Sequence, residues 1–458
     1  MKRSALSRLA GGCLAAAVAL TLAAPSDAAP KGPAFAAPVK ITPLGAGGYE
    51  PGVYSDRYGN IYATAHKENA ELAISPDSRS STKTRSMSWT WYSSDQAKTW
   101  KNLPGPAGLD VQNHTFGDEG DMATDDAGNL YFVDTNVTDI SFTSWHASGL
   151  GTIAFKSHLP TVGFGQPTDD RPWVAAHNDG HVFYFGNEGD QNYVLGHSGE
   201  QYGTGTGPGR YTVYSSYDGG KTWDHIGTSL KDSGWCRPAA APHSAYVYAF
   251  CGNDNGKLYS FVSRDDGKTW QRYDVGSYTP GPGGWASFPS IQVLPDGTLW
   301  GMYLNPTDFK SGTPTHAQFM AYRSTDHGHH WKAFDLSPSG RQSTWQYEYS
   351  SLALTRDGRH LGYAVYGRPT PNDAWKIYAT TFRLGQKPTL TSLDDANPVA
   401  KAGTPEALGD FLMSAFDPAG HLTVTWTRSV IPLNQDDPAG TGEGHRNLFR
   451  DIFSARSK

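Results

Sequence analysis

Four stretches of this chain spell nearly the same turn, Ser-x-Asp-x-Gly-x-Thr-Trp, at Ser93–Trp100, Ser216–Trp223, Ser263–Trp270 and Ser324–Trp331. One turn used four times means one supersecondary unit used repeatedly, and that constrains the fold more than any composition figure. Each letter has a mechanical task. The Ser and Asp oxygens accept backbone N–H groups, the Gly supplies positive φ, and the Trp lays a large ring beside the next strand. Two copies are degenerate, with Ala97 in place of Gly and His330 in place of Thr.

A second repeat is weaker in letters but more regular in spacing. It consists of a strand, a turn built on Asp or Asn with Gly, and an aromatic-rich strand. It recurs seven times, around Gly59, Gly128, Gly180, the Cys236–Cys251 segment, Gly297, Gly358 and Gly420. The mean step is about 60 residues, long for a compact repeat, so the excess belongs in loops. With 52 Gly, 30 Pro and 12% aromatic residues, and with no long helical period, the composition suits many short strands and little helix.

The eight-letter turn is the Asp-box, or BNR, motif, and the chain resembles the sialidase superfamily of β-propellers. The resemblance covers almost all of the chain after its leader and implies radial four-stranded blades, with the hairpin as strands one and two and the Asp box turning strand three into strand four. The predicted fold is an all-β, seven-bladed β-propeller; sialidases have six blades, and six is the alternative if one hairpin is an insertion. Asp451–Arg456 reads as a third strand lacking its fourth, and Pro38–Thr42 as an orphan strand that completes the last blade and closes the ring.

Lys2, Arg3 and Arg8, an apolar run from Leu9 to Ala24 and then Ser26-Asp27-Ala28 have the layout of a secretory signal, giving a leader at 1–28 and a single propeller domain at 29–458. No later segment is long and apolar enough to span a bilayer as a helix. The expected product is secreted and monomeric. Without the leader's three cations and one acid, the net charge moves from −6 to −8, which argues against nucleic acid or anionic membranes as partners. Cys236 and Cys251, the two cysteines outside the leader, fall opposite each other in their hairpin and are predicted to form a disulfide.

In such a ring the turns between strands one and two lie on the same face as the Asp boxes, and their letters are turn filler. The segments on the opposite face carry residues no turn demands. Leading into first strands are Glu50, Glu119, Asp121, Asp170, Arg171, Trp235, Arg237, Glu348 and Tyr349. Leaving second strands are His66, Asp134, Glu188, Arg368 and Arg428. Acids, arginines and aromatic rings around one mouth suit a polyhydroxylated ligand, so the expected partner is a glycan.

The resemblance implies three arginines on a sugar carboxylate, a tyrosine nucleophile activated by a glutamate, and an aspartate acid/base. Tyr349-Ser350-Ser351-Leu352 is similar to the tyrosine segment, with Glu348 or Glu119 as activating base. A two-carboxylate variant would pair Glu119 or Asp121 with Asp170 or Glu188. Arg171, Arg237, Arg368 and Arg428, with Trp235 for stacking, are the candidate substrate-binding set. The chain departs from the family at Tyr49-Glu50-Pro51-Gly52, where an acid stands in place of the first arginine. The leading expectation is a sialidase-like glycoside hydrolase. The alternatives are a polysaccharide lyase using His66, His114, His177 or Tyr349 as base with Arg171 or Arg237, and a non-catalytic glycan-binding propeller. No cofactor is expected; a structural Ca²⁺ at Gly117–Asp121 or Asn187–Asp190 is the one metal alternative.

Overall fold

The computed structural model describes residues 32–42, 47–68, 88–105, 119–135, 140–160, 162, 172–188, 210–253, 255–279, 288–310, 313–400, 408–409, 411–429 and 450–458. These belong to one unit, Gly32–Lys458, and the leader expected at 1–28 lies outside the described residues. The unit has seven four-stranded antiparallel sheets, so the blade count is seven rather than six. Among the described residues the helix is one 3₁₀ turn, Gly340–Thr344.

From the axis outwards, blade 1 is Gly47–Ser55, Ile61–Glu68, Trp89–Ser93 and Lys101–Asn102. Blade 2 is Glu119–Thr124, Asn129–Thr135, Ile140–Gly149 and Thr152–Leu159. Blade 3 is Trp173–His177, His181–Glu188, Arg210–Ser216 and Thr228–Leu230. Blade 4 is Trp235–Ala240, Val247–Gly252, Lys257–Ser263 and Gln271–Ser277. Blade 5 is Ser290–Val293, Leu299–Lys310, Thr313–Ser324 and Lys332–Asp335. Blade 6 is Gln346–Leu354, His360–Arg368, Lys376–Arg383 and Thr391–Ser392. Blade 7 takes Met413–Phe416, Leu422–Ser429 and Arg450–Arg456 from the C-terminal end and Val39–Lys40 from the N-terminal end.

The Asp boxes sit at the third-to-fourth strand turns of blades 1, 3, 4 and 5. In each, the Ser hydroxyl accepts the N–H four residues on, 3.0 Å from Ala97 and 2.8 Å from Gly267. The Asp accepts the N–H and hydroxyl of the Thr, 2.9 and 2.7 Å in the blade 3 copy. His330 replaces that hydroxyl with ring Nδ1, 2.6 Å from Asp326. Ala97 holds φ +61° where Gly220, Gly267 and Gly328 stand in the other copies, a conformation that is strained for a residue with a Cβ. A different aspartate device closes the first hairpins of blades 1 and 2. Asp56 and Asp125 each accept two turn N–H groups, an Asn side chain and the hydroxyl of Tyr62 or Tyr131.

Ring closure follows the expected scheme. Val39 and Lys40 pair with Ser454 and Phe453. Lys40 meets the Asp451 carboxylate at 2.6 Å, and Thr42 donates to its other oxygen at 2.6 Å. Cys236 and Cys251 are register partners in blade 4 and are disulfide-bonded.

Candidate functional site at the axial mouth

Seven innermost strands run side by side, and short acceptor side chains tie several of them to the next. Ser290 Oγ accepts the Leu352 N–H at 3.1 Å, and Ser351 Oγ accepts the Ser414 N–H at 2.9 Å. Asp121 does the same for blade 3, taking the Val174 N–H at 2.9 Å. Its other oxygen receives the Tyr54 hydroxyl of blade 1 and lies 3.6 Å from Arg237 Nη1 of blade 4. One buried carboxylate therefore links four consecutive blades. Desolvation raises its pKa above the ordinary carboxyl value, opposed by Arg237 and by the hydrogen bonds. Burial, and next the Asp121 charge, push the Tyr54 phenol well above its usual value.

Arg237 lies 3.4 Å above the Trp173 ring centroid and 5.7 Å from that of Phe411. Phe288 touches Trp173, Trp235 and Phe411 with ring centroids 5.3 to 6.2 Å apart. These side chains come from blades 3 and 4 and from the lead-ins to blades 5 and 7, so they can meet only across the axis. The tunnel has an aromatic floor, with a guanidinium and a carboxylate set into it.

Above this floor the innermost strands of blades 1 and 6 are each broken by a bulge. The register shifts between Tyr49 and Gly52 and between Glu348 and Ser350. At these points Glu50 has φ +52° and Tyr349 φ +48°. They are the two non-glycine residues with positive φ inside the described strands, the others lying in turns and loops. Gly409 makes room for Glu50, since a Cβ there would lie 2.7 Å from Glu50 Cγ. A left-handed conformation costs about 1–2 kcal/mol for such residues, and bulges re-aim side chains.

Charged groups are concentrated around the two bulges. Glu50 is buried, with Oε2 3.4 Å from His66 Nε2. His66 stacks edge-on against Tyr49 at 4.5 Å, and the buried Arg450 guanidinium lies 4.1 Å above the Tyr49 ring. The Glu50 N–H donates to Thr427 Oγ1 at 3.2 Å, and the Thr427 N–H donates to Tyr366 at 3.0 Å, joining blades 1, 7 and 6. Tyr366 is the register partner of Glu348. Arg368 donates to Gln346 at 2.7 Å and to the Pro371 carbonyl at 3.0 Å, with its guanidinium 4.3 Å from the Trp375 centroid. Desolvation lowers the Arg368 pKa, and the Glu348 charge opposes this. Buried charges of this density are rare away from functional sites.

The structure thus gathers Glu348, Tyr349 and Arg368 in one sector of the mouth and Asp121, Arg237 and Trp235 at or beneath the floor. Arg428 stands apart, paired with Asp394 at 2.7 Å and 3.7 Å from the Phe453 centroid. Glu119 and Glu188 are placed by backbone register alone, opposite Thr135 and Arg210. Asp170, Arg171 and His114 lie outside the described residues, as do parts of both suggested calcium loops. His177 lies at the opposite, turn face. Tyr54, Trp173, Phe288, Phe411 and Arg450 escaped the sequence reading, because nothing local marks a residue whose partner lies in another blade. On the turn face a concavity of about 420 Å³ lies between blades 6 and 7, but its acids serve structure: Asp357 accepts the Arg359 N–H, and Asp417 holds the His421 N–H and Arg456.

Residues 189–361 match the family of the BNR repeat-like domain, a span that runs from the third strand of blade 3 to the first strand of blade 6 and holds three of the Asp boxes just described. The chain is a seven-bladed β-propeller whose middle region is similar to the BNR repeat-like domain. No curated protein matches the propeller's sequence significantly. Among solved structures, a protein of unknown function from Dyadobacter fermentans aligns at 13% identity and TM-score 0.49, covering 93% of the propeller chain and 98% of its own. The intramolecular trans-sialidase of Ruminococcus gnavus aligns at 11% and 0.42, covering 90% and 94%. The α-L-arabinanase of Penicillium chrysogenum, solved with arabinobiose, aligns at 14% and 0.40, covering 92% and 98%.

Proposed function

We propose that the propeller is a secreted carbohydrate-active enzyme, a sialidase-like glycoside hydrolase that works on a glycan at the axial mouth. The observation that carries this reading is the pair of strained bulges at Glu50 and Tyr349. Strain of this kind persists where the surroundings over-determine it, and it clusters at catalytic sites. In this reading Tyr349 attacks the anomeric carbon, its proton passing to Glu348 as the activating base, and a mouth carboxyl protonates the leaving oxygen. Arg368 and Arg450 offset charge on the sugar, and the aromatic floor supports its apolar face. Secretion accords with the leader-like N-terminus and with the disulfide. Among the described residues no helix is long and apolar enough to cross a membrane.

A second reading, elimination at a uronic acid, is favoured by Tyr49, which lies beneath the cationic Arg450 and packs edge-on against His66, so that a neutralising cation and two candidate bases share one cluster.

A screen against sialosides, arabinans, other plant and bacterial glycans and uronate polymers, followed by Tyr349→Phe and Glu50→Gln, tests both. Hydrolysis expects reducing ends that disappear in Tyr349→Phe at unchanged Tm. Elimination expects an ultraviolet-absorbing unsaturated product that survives Tyr349→Phe and is lost in His66→Gln. Full turnover in all three variants would remove catalysis from the mouth. Thermal protection by a glycan without turnover would leave binding alone.

A further inference from the structure

On the turn face, far along the strands from the mouth, three side chains converge that no turn requires. His177 ends the first strand of blade 3 and His181 begins the second. They are register partners across a tight loop in which Asn178, Asp179 and Gly180 all have positive φ. That loop sets the two imidazoles side by side, with centroids 5.7 Å apart. The third group is Asp266 from the Asp box of blade 4. The turn there is made by its neighbour Asp265, which bonds Ser263 and Thr269. In the other boxes the position of Asp266 holds Gln96, Gly219 and His327, so the turn does not need an acid there.

The proton inventory is the informative part. His177 Nδ1 lies 2.8 Å from the Ala241 carbonyl oxygen, which cannot donate, so Nδ1 carries the hydrogen. A neutral ring then presents a bare Nε2 lone pair, and Nε2 lies 2.9 Å from Asp266 Oδ1. His181 Nδ1 lies 3.3 Å from the same oxygen, is buried at the atom, and makes no hydrogen bond. Two ring nitrogens thus aim at one carboxylate oxygen, and what completes the set is positive charge between them. All three ligand atoms lie within 4.8 Å of one another. Zn²⁺ holds N and O ligands at about 2.0–2.2 Å, which puts tetrahedral ligands roughly 3.3 Å apart.

We propose that His177, His181 and Asp266 form a binding site for a divalent cation of the Zn²⁺ type, stapling blade 3 to blade 4 on the turn face. Two imidazoles and one carboxylate select an imidazole-preferring transition metal over Ca²⁺ or Mg²⁺, which take oxygen ligands. The Ala241 carbonyl fixes the His177 tautomer, as outer-sphere acceptors of metal-bound histidines do. The side chains of His181 and Asp266 are 27% and 22% exposed, so the cation has a path in and a solvent molecule can take the fourth position. Because the ligands come from two blades, binding should show as stability and leave mouth chemistry unchanged.

The test uses the whole chain, stripped with a chelator and titrated with Zn²⁺ alone. The expected result is one tight equivalent by calorimetry, a Tm raised by a few degrees, and a tetrahedral visible spectrum with Co²⁺ as substitute. His181→Gln and Asp266→Asn should each weaken Zn²⁺ binding by about 100-fold or more, whereas His330→Gln, in the exposed histidine group of blade 5, should leave it unchanged. Absence of a stoichiometric equivalent would overturn the proposal and leave an imidazolium–carboxylate pair. So would binding that survives His181→Gln, or that is lost with His330→Gln.

Discussion

The indole of Trp100, in the Asp box of blade 1, donates from Nε1 to the hydroxyl of Ser454 in blade 7 at 3.1 Å. The other three Asp-box tryptophans donate to carbonyls of their own boxes, Gly220, Gly267 and Gly328 at 2.9 Å, and Trp331 also reaches Ser260 of blade 4 at 3.2 Å. The exception falls at the seam where the first and last blades meet, in the box that has Ala97 for glycine. Trp100→Phe keeps the ring and removes the donor to a fully buried hydroxyl. It should lower stability by about 1–3 kcal/mol, read as a fall in the denaturant midpoint. An unchanged midpoint would show that the seam does not depend on this bond.

The disulfide closes a loop across the blade 4 hairpin, its cysteines 15 positions apart in sequence. Constraint of the unfolded chain by a loop of that size contributes roughly 3 kcal/mol. The Cys236→Ala, Cys251→Ala double variant should lose about that much, and reductant should lower the Tm of wild type but not of the variant. A variant as stable as wild type would remove the bond from the stability account.

The Asp-box acids make stability depend on acid. For Asp218, desolvation pulls the pKa up, but the Thr222 N–H and hydroxyl and the Ser216 hydroxyl outweigh it and hold it below the usual carboxyl value. In Asp326 desolvation is likewise outweighed, by the His330 and Ser324 bonds. Asp95 and Asp265 shift the same way. A carboxyl depressed in the folded state contributes stability that is complete above its unfolded value, about 3.9, and is lost as pH falls through the folded value. Tm should therefore drop steeply below about pH 4, and less steeply in Asp326→Asn. Parallel profiles for the two proteins would contradict this.

Asp121 behaves with the opposite sign. Its folded pKa is raised, so the native state takes up a proton more readily than the unfolded chain, and this group favours folding increasingly as pH falls through that raised value. Asp121→Asn removes the titration and strips Arg237 of its counter-charge, at a cost of about 3 kcal/mol. The stability gap between wild type and Asp121→Asn should widen as the pH is lowered from 7 towards the ordinary carboxyl value, about 3.9, in thermal melts of both. A gap independent of pH would place the proton elsewhere.

What the sequence made legible was periodic or local. The boxes announced four blades, the Gly-centred hairpins supplied seven, and Cys236 and Cys251 faced each other because hairpin register is set by a nearby turn. The orphan strand at Val39–Lys40 could be matched to its blade because the ring had one strand too few. The site was legible only as a face. Tyr54 finds Asp121 67 residues away, and Phe288 meets Phe411 only across the axis. No pattern along the chain encodes those distances. The bulges at Glu50 and Tyr349 were hidden for another reason: positive φ is normally announced by glycine, and here the residue types argue against the conformation they adopt.

The strand that finishes blade 7 precedes blade 1 in the chain and leaves the ribosome before any of the blades, while its partner Asp451 follows six complete blades; Thr42 and Asp451 are 409 residues apart. Synthesis therefore produces a row of blades whose end edges stay unpaired until Arg450–Arg456 emerges, exposing the growing chain to edge-to-edge association. Ring closure is in this sense a check on completeness. A chain cut short before Arg450 keeps most of its blades and loses the fastening that makes them a ring.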